Sequence, residues 1–197
     1  MSILSPERVE TIFAQLCLPF RFSAAERIEL NTISIVDKPG VLCFPTPEAD
    51  ELSLLNLRRL LGVNPKNPPS FFDHPWYLEE SFGEDACLPG WHMIQMEPDP
   101  CSVEQTYNDC CNNMLGFTAP SVIEVVIMLF FQYVATGQQL LSRKHTWCRD
   151  KASLGRRVTA GAFGRNGLFV SAHPDLFTSK GLGMCGKVRL PGDELCR

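Results

Sequence analysis

The sequence predicts a mixed α+β fold in which short antiparallel strands surround one buried helix. The helix is expected over residues 121–136, because its central positions are apolar on every side. Short β-branched and aromatic segments separated by glycine turns follow it, at 146–150, 157–163, 167–172 and 187–190. The 197 residues include 15 prolines and 14 glycines, a composition that favours irregular connections over a long helical bundle.

The N-terminal part is expected to be a small helical appendage, residues 1–70, attached to a main domain, residues 71–197. A first helix is predicted to begin at Ser5, since serine caps helices and the following Pro6 suits the first turn. Its apolar residues recur at helical spacing and stop at the Leu-Pro-Phe segment 18–20.

The remaining N-terminal elements are predicted from caps, turns and alternation. Ser23 begins a capping-box pattern, but the apolar spacing becomes strand-like over residues 31–36. A short strand is expected over residues 41–44. A helix is then predicted to begin at Thr46 and to stop at Gly62.

The middle of the chain, residues 64–100, is rich in proline and aromatic residues and is predicted to be a linker. It is expected to end in a strand over residues 91–96, and a short helix is predicted within residues 102–111. The central helix has clear boundary signals, because Ser-Val-Ile-Glu at 121–124 forms a capping box and Gly137 follows the last turn.

Charge is unevenly distributed along the chain. Residues 1–150 carry 10 lysines and arginines against 19 acidic residues, whereas residues 151–197 carry 8 against 3. The basic end is expected to meet an acidic partner or nucleic acid, or to dock on the acidic part of its own chain. The basic cluster before the strands comprises Arg143, Lys144, Arg149, Lys151, Arg156 and Arg157. Aromatic residues are not interleaved with it, so nucleic acid is the less favoured partner.

The chain is expected to be cytoplasmic and without a membrane partner. Its N-terminus has no positive segment followed by an apolar one, as a secretory signal would require. The most apolar run, residues 125–131, is too short to cross a bilayer. Nine cysteines, an odd number, fit a reducing compartment in which most thiols are free.

The order of these parts resembles a known family. A segment at 88–94, the capped helix at 119–137 and the glycine-spaced segments of 148–190 resemble the C-type-lectin fold, in particular the variable proteins of diversity-generating retroelements. In that family a reverse transcriptase rewrites chosen codons near the C-terminus, and the scaffold displays the altered side chains. The resemblance covers about residues 76–190. The chain departs from it in lacking a long C-terminal tail of the Gly-Phe-Arg type, and the paired cysteines of secreted lectins are not matched. It implies a non-enzymatic ligand-binding protein without a cofactor, whose ligand is an unknown protein or other macromolecule.

The candidate variable surface lies near the C-terminus, where glycines would fix the turns without help from neighbouring side chains. The positions expected to form the supporting core are Val158, Phe163, Leu168, Val170 and Leu182. The candidate ligand-binding residues are Thr159, Ala162, Phe169, Ser171, Ala172, His173, Asp175, Phe177 and Ser179. Phe169 and Phe177 would be aromatic anchors, with His173 and Asp175 as polar contacts. The alternative for either phenylalanine is an ordinary core position.

Three other kinds of chemistry are weighed against this hypothesis. A thiol enzyme similar to the formylglycine-generating enzymes, which share the lectin-type fold, would depend on Cys185. Calcium would use Glu97 and Asp99, which flank a proline but lie before the central helix rather than late in the chain. Zinc would use ligands drawn from Cys110, Cys111, His145 and Cys148. Buried free thiols are the favoured interpretation of these cysteines, and no metal site is predicted.

Overall fold

A computed structural model describes residues 3–189 of the chain, and in them the fold is mixed α+β with five α-helices and two four-stranded sheets. The helices are α1 (Pro6–Gln15), α2 (Ala24–Thr32), α3 (Leu54–Leu61), α4 (Tyr107–Asn113) and α5 (Val122–Thr136). The strands are β1 (Val41–Thr46), β2 (Gly90–Gln95), β3 (Phe117–Thr118), β4 (His145–Lys151), β5 (Arg157–Gly164), β6 (Gly167–His173), β7 (Leu182–Gly183) and β8 (Lys187–Val188).

The two sheets differ in the relative direction of their strands. The first sheet has the order β1-β2-β8-β3 and is antiparallel throughout. The second has the order β6-β5-β4-β7, with only the β4–β7 pair parallel. The chain therefore leaves the second sheet after β7 and returns to the first sheet as β8.

Helix α5 is the centre of the core and confirms the prediction of a helix buried on most sides. Ser121 caps it through a complete capping box with Glu124, and Gly137 ends it in the left-handed conformation. Phe131 packs against rings of α1 and β1, while Phe130 packs against Phe71 and against Phe163 of β5. The helix thus contacts both sheets, which makes it the structural support behind each of them.

The N-terminal predictions are confirmed in part. Helix α1 begins after Ser5, and β1 lies where a strand is expected. The predicted strand over residues 31–36 is wrong, because the capping box of Ser23 and Glu26 commits the chain to helix as far as Thr32. The helix expected from Thr46 is wrong at its start: β1 extends to Thr46, and Ser53 provides the cap of α3.

The segment expected to be a linker, residues 64–100, packs as part of the core. Phe71, Tyr77 and Phe82 are each at most 3% exposed. The backbone of this segment also joins the edge of the second sheet, because the Phe72 amide donates to Leu168 at 2.8 Å. Contacts cross the expected boundary between residues 70 and 71 as well, since β1 pairs with β2 over its full length.

The C-terminal strands confirm the sequence prediction up to the last described residue. Strands β4, β5 and β6 cover the three predicted segments, and β8 covers the start of the fourth, whose last residue, Leu190, lies outside the described part. The five positions expected to form the supporting core are all at most 3% exposed. The β5–β6 hairpin is therefore fixed to the core by one face.

Candidate functional site

The other face of the β5–β6 hairpin, with Phe177 of the loop after it, carries four of the nine candidate ligand-binding residues in at least partly exposed positions. Side chains alternate along β6: Leu168 and Val170 enter the core, while Phe169, Ser171 and His173 point the other way and are partly exposed. Phe177, from the loop after β6, joins them. These four residues (Phe169, Ser171, His173 and Phe177) are called the outer face below.

A chain of polar contacts runs across the outer face. The Thr159 and Ser171 hydroxyl oxygens are 2.8 Å apart, and the Ser171 hydroxyl lies 3.1 Å from Nε2 of His173. Thr159 is fully buried beneath this chain, so its placement among the displayed residues has to be corrected. Its register explains the burial, because its side chain lies between those of its partners, Trp147 on β4 and Ser171 on β6.

Aromatic rings form the second feature of the outer face. The rings of His173 and Phe177 are stacked, with centroids 4.2 Å apart, and Phe177 is 38% exposed. Phe169 contacts the rings of Phe72, His74 and His145 edge-on or tilted. Neither candidate phenylalanine lies in the buried core of the described residues.

The remaining candidate residues lie elsewhere. Ala172 faces the opposite way and packs against the core, so it too must be removed from the displayed set. Ala162 lies in a bulge of β5 with a φ of 44°, and its amide donates to the Lys144 carbonyl. Ser179 is exposed in the loop before β7, with no described contact to the outer face. Asp175 precedes Phe177 and forms an ion pair with Arg157 at 3.7 Å.

His145 and His173 are held neutral at pH 7 because the pKa of each is lowered. Burial lowers the pKa of His145 below its usual range, and the nearby His173 adds to the effect. Burial also lowers the pKa of His173, and the charge of Arg156 lowers it further. Neutral imidazoles beside a serine hydroxyl both donate and accept hydrogen bonds, so the outer face offers mixed polar and aromatic contacts.

The structure gives little support to the alternative thiol, calcium and zinc chemistries. Cys185 is 0% exposed, and burial raises the pKa of its thiol to about 12, so the thiol is neither accessible nor ionised at neutral pH. Glu97 is paired with Lys144, and Asp99 caps a short helical turn. Within residues 3–189, no group of three or more His, Cys, Asp or Glu side chains is arranged to hold a metal ion.

Comparison with known proteins adds no assignment: no family model, no curated protein and no solved structure matches the chain. Across the part that the structure describes, none of the helices combines the length and the apolar character needed to cross a membrane.

A buried charged network that sequence reasoning missed connects the two central strands of the first sheet, β2 and β8, to helix α5. His92 of β2, Glu124 of α5 and Lys187 of β8 are all more than nine-tenths buried. Glu124 Oε1 lies 2.9 Å from the Lys187 ammonium and 3.2 Å from His92 Nδ1, while its other oxygen accepts from the Ser121 amide. The sequence marks Glu124 only as a capping residue, and nothing in the spacing of the other two residues brings them together.

The network is polar on its other side as well. His92 Nε2 donates towards the Leu88 carbonyl at 3.0 Å and lies 2.8 Å from the Thr46 hydroxyl, with the Cys87 sulfur 3.9 Å away. A thiol, an imidazole and a carboxylate in this order resemble a nucleophile–base–orienter set, but Cys87 and His92 are at most 3% exposed. With no surface open to a substrate, the network is structural.

The pH dependence of stability should reveal the charge of His92. Burial opposes its charged form, yet Cys87 and Glu124 raise its pKa to about 9. Because this lies above the ordinary value of 6.5, the stabilisation is complete below pH 6.5 and is lost as the pH rises through 9. Glu124 has the opposite sign: its lowered pKa gives stabilisation above its ordinary 4.5 that is lost in acid.

Urea unfolding at pH 6.5 and pH 9 measures this effect. The wild type should lose about 2 kcal/mol more than the non-titrating variant His92→Gln over that interval. Equal losses in the two proteins would show that His92 does not carry the charge.

Proposed function

We propose that this chain is a non-enzymatic, cytoplasmic ligand-binding protein that displays a sequence-variable surface on a C-type-lectin-like scaffold and is diversified by a retroelement. Its ligand, a protein or other macromolecule, contacts the outer face. The observation that carries the proposal is the division of β6 into two sets of side chains. Leu168 and Val170 pack into the core, whereas the partly exposed Phe169, Ser171 and His173 do not.

The outer side chains can be substituted because the stability of the hairpin comes from other parts of it. Strands β5 and β6 pair through their backbones from Arg157 to Gly164, and the core face of the hairpin packs on α5. Backbone hydrogen bonds do not depend on side-chain identity, so partly exposed positions contribute little of their own. A scaffold of this kind tolerates substitution on one face only.

The chemistry of the outer face supports a macromolecular ligand. Partly exposed aromatic rings beside histidine and serine are typical of protein-binding surfaces, because rigid rings provide contact area at low entropic cost. Leu176, 84% exposed, extends the apolar contact next to Phe177. The basic residues Arg156 and Arg157 lie at one end of the hairpin and provide charge.

A display library tests the proposal. Ser171, His173 and Phe177 would be randomised together and the library selected against immobilised streptavidin, a protein unrelated to any natural ligand. We expect folded clones whose binding is lost when the three wild-type residues are restored. A matched library at Val158, Ala160 and Val170, on the core face of the same strands, should yield none. Binders from both libraries, or from neither, would contradict the proposal.

The retroelement is tested on DNA rather than protein. Sequencing around the gene should reveal a second, imperfect copy of the segment that encodes about residues 157–190, beside a reverse-transcriptase gene. The differences should fall mainly at adenines of the copy, in codons for the outer face. A locus without such a copy would contradict diversification by a retroelement, but it would not bear on ligand binding by the outer face, which the display library tests.

A further inference from the structure

Arg157, at the first position of β5, is a buried cation with unused hydrogen-bonding capacity. Its side chain is 9% exposed, and its Nη1 donates to the Arg149 carbonyl at 2.5 Å. The guanidinium lies 3.8 Å from the centre of the Tyr107 ring, which supports it from one side. Its Nε–H is buried and has no hydrogen-bond partner among the described residues.

The nearest anion does not satisfy this donor. Asp175 Oδ1 lies 3.7 Å from Arg157 Nε, which is within ion-pair range but too long for a hydrogen bond. The same Oδ1 atom is itself buried without a partner. Leaving both atoms unpaired costs free energy. A carboxylate that lay less than an ångström closer to Nε would accept its hydrogen bond and recover that free energy. Asp175 is carried by the loop after β6, and its side chain is 38% exposed.

The charges around this position favour an added anion. Arg156 lies beside His173, whose pKa it lowers, and its Nε is also buried without a partner. Arg149 contributes its carbonyl to Arg157 and its charge to the same end of the sheet. Asp150, on β4, is engaged elsewhere, since it accepts from the Val122 amide at the start of α5.

We propose that the ligand of the outer face presents an acidic side chain whose carboxylate binds Arg157 at the place now taken by Asp175. This inference rests on the proposed function and names the chemistry that the ligand must carry. The planar guanidinium matches a carboxylate through two parallel donors, so the incoming group replaces a long, unbonded contact with a hydrogen-bonded one. Asp175 then acts as an internal competitor that keeps the site closed until an acidic ligand arrives.

A protein carboxylate fits this site better than a nucleic-acid backbone. Binding to a polyphosphate depends on many exposed cations, whereas Arg157 is a single, nine-tenths buried one. Lys144, a member of the basic cluster, is already paired with Glu97 at 2.6 Å. Phe177 is stacked on His173 and is therefore not a free platform for a base.

The test compares two probes, fluorescein-labelled hexaglutamate and a labelled ten-residue oligothymidylate, on the full-length protein. Asp175→Asn removes the competitor, and we expect it to bind hexaglutamate about threefold more tightly than the wild type. Asp73→Asn is the matched control: it removes one carboxylate from another buried arginine, Arg58, which is likewise 9% exposed. The control should leave the affinity unchanged. Arg157→Lys, combined with Asp175→Asn, should abolish the gain.

Each outcome decides the inference. Equal affinities of Asp175→Asn and Asp73→Asn would overturn it, because the gain would then reflect net charge alone. A larger gain for the oligonucleotide than for hexaglutamate would assign the surface to nucleic acid and overturn it as well. The streptavidin selection leaves Arg157 and Asp175 unchanged, so its success together with a failed hexaglutamate test would reject the acidic ligand and keep the display function.

Discussion

Replacing Glu124 with glutamine should lower the free energy of unfolding by about 3–5 kcal/mol, the usual cost of removing one partner from a buried ion pair. The carboxylate is 0% exposed and lies between His92 and Lys187, so the variant would leave the buried Lys187 ammonium without its anionic partner. Glutamine keeps an oxygen for the Ser121 amide and therefore preserves the cap. Urea unfolding at pH 6.5, followed by circular dichroism, measures the change.

The matched control is Glu26→Gln in α2. Glu26 forms the same capping box, with the Ser23 amide donating to its carboxylate, but it lies near the surface. Its replacement should cost about 1 kcal/mol or less. If both variants lose the same small amount, the three buried groups are not a charged network and the first sheet is held by packing alone.

Replacing Gly161 with alanine should destabilise the protein by about 3 kcal/mol or more, because overpacking against backbone leaves no flexible group to move. A Cβ atom at this position would lie 2.1 Å from the Lys144 carbonyl oxygen and 2.6 Å from the His145 Cα. The close approach occurs where Gly161 of β5 pairs with His145 at the start of β4, so the alanine would separate the two strands. Thermal and urea unfolding measure the loss.

Gly164→Ala is the control for Gly161→Ala, since it changes the same strand by the same methyl group. A Cβ atom there would meet nothing closer than 3.8 Å, and the backbone does not require glycine. We expect a change within about 1 kcal/mol. Equal stability of the two variants would mean that β4 and β5 are not fixed at Gly161, and the rigid support of the outer face would be lost with it.

Local signals account for the parts of the fold that the sequence predicts. The α5 boundaries follow from the capping box at Ser121 and from Gly137, which act within one helical turn. Alternation along β6 predicts which residues are buried, because the strand has one face on the core. Thr46 shows the limit of such signals: the proline after it suggests a helix start, but β1 extends through it and buries its hydroxyl beside His92.

Long-range contacts explain what the sequence does not predict. His92, Glu124 and Lys187 come from three distant elements, and only the return of β8 to the first sheet brings the lysine to the carboxylate. Thr159 is buried between the side chains of its register partners on two other strands, Trp147 and Ser171, a property of the sheet rather than of its own segment. The opposition of Arg157 and Asp175 likewise depends on the loop after β6 folding back over β5.

The central claim is that the hairpin keeps its shape through backbone pairing and α5, which leaves the outer face free to change. The most direct test is the folded fraction of the two libraries described above, measured clone by clone as resistance to protease. Most clones randomised at Ser171, His173 and Phe177 should remain resistant, whereas few randomised at Val158, Ala160 and Val170 should. Equal losses in the two libraries would contradict the claim, because the outer side chains would then be part of what holds the fold together.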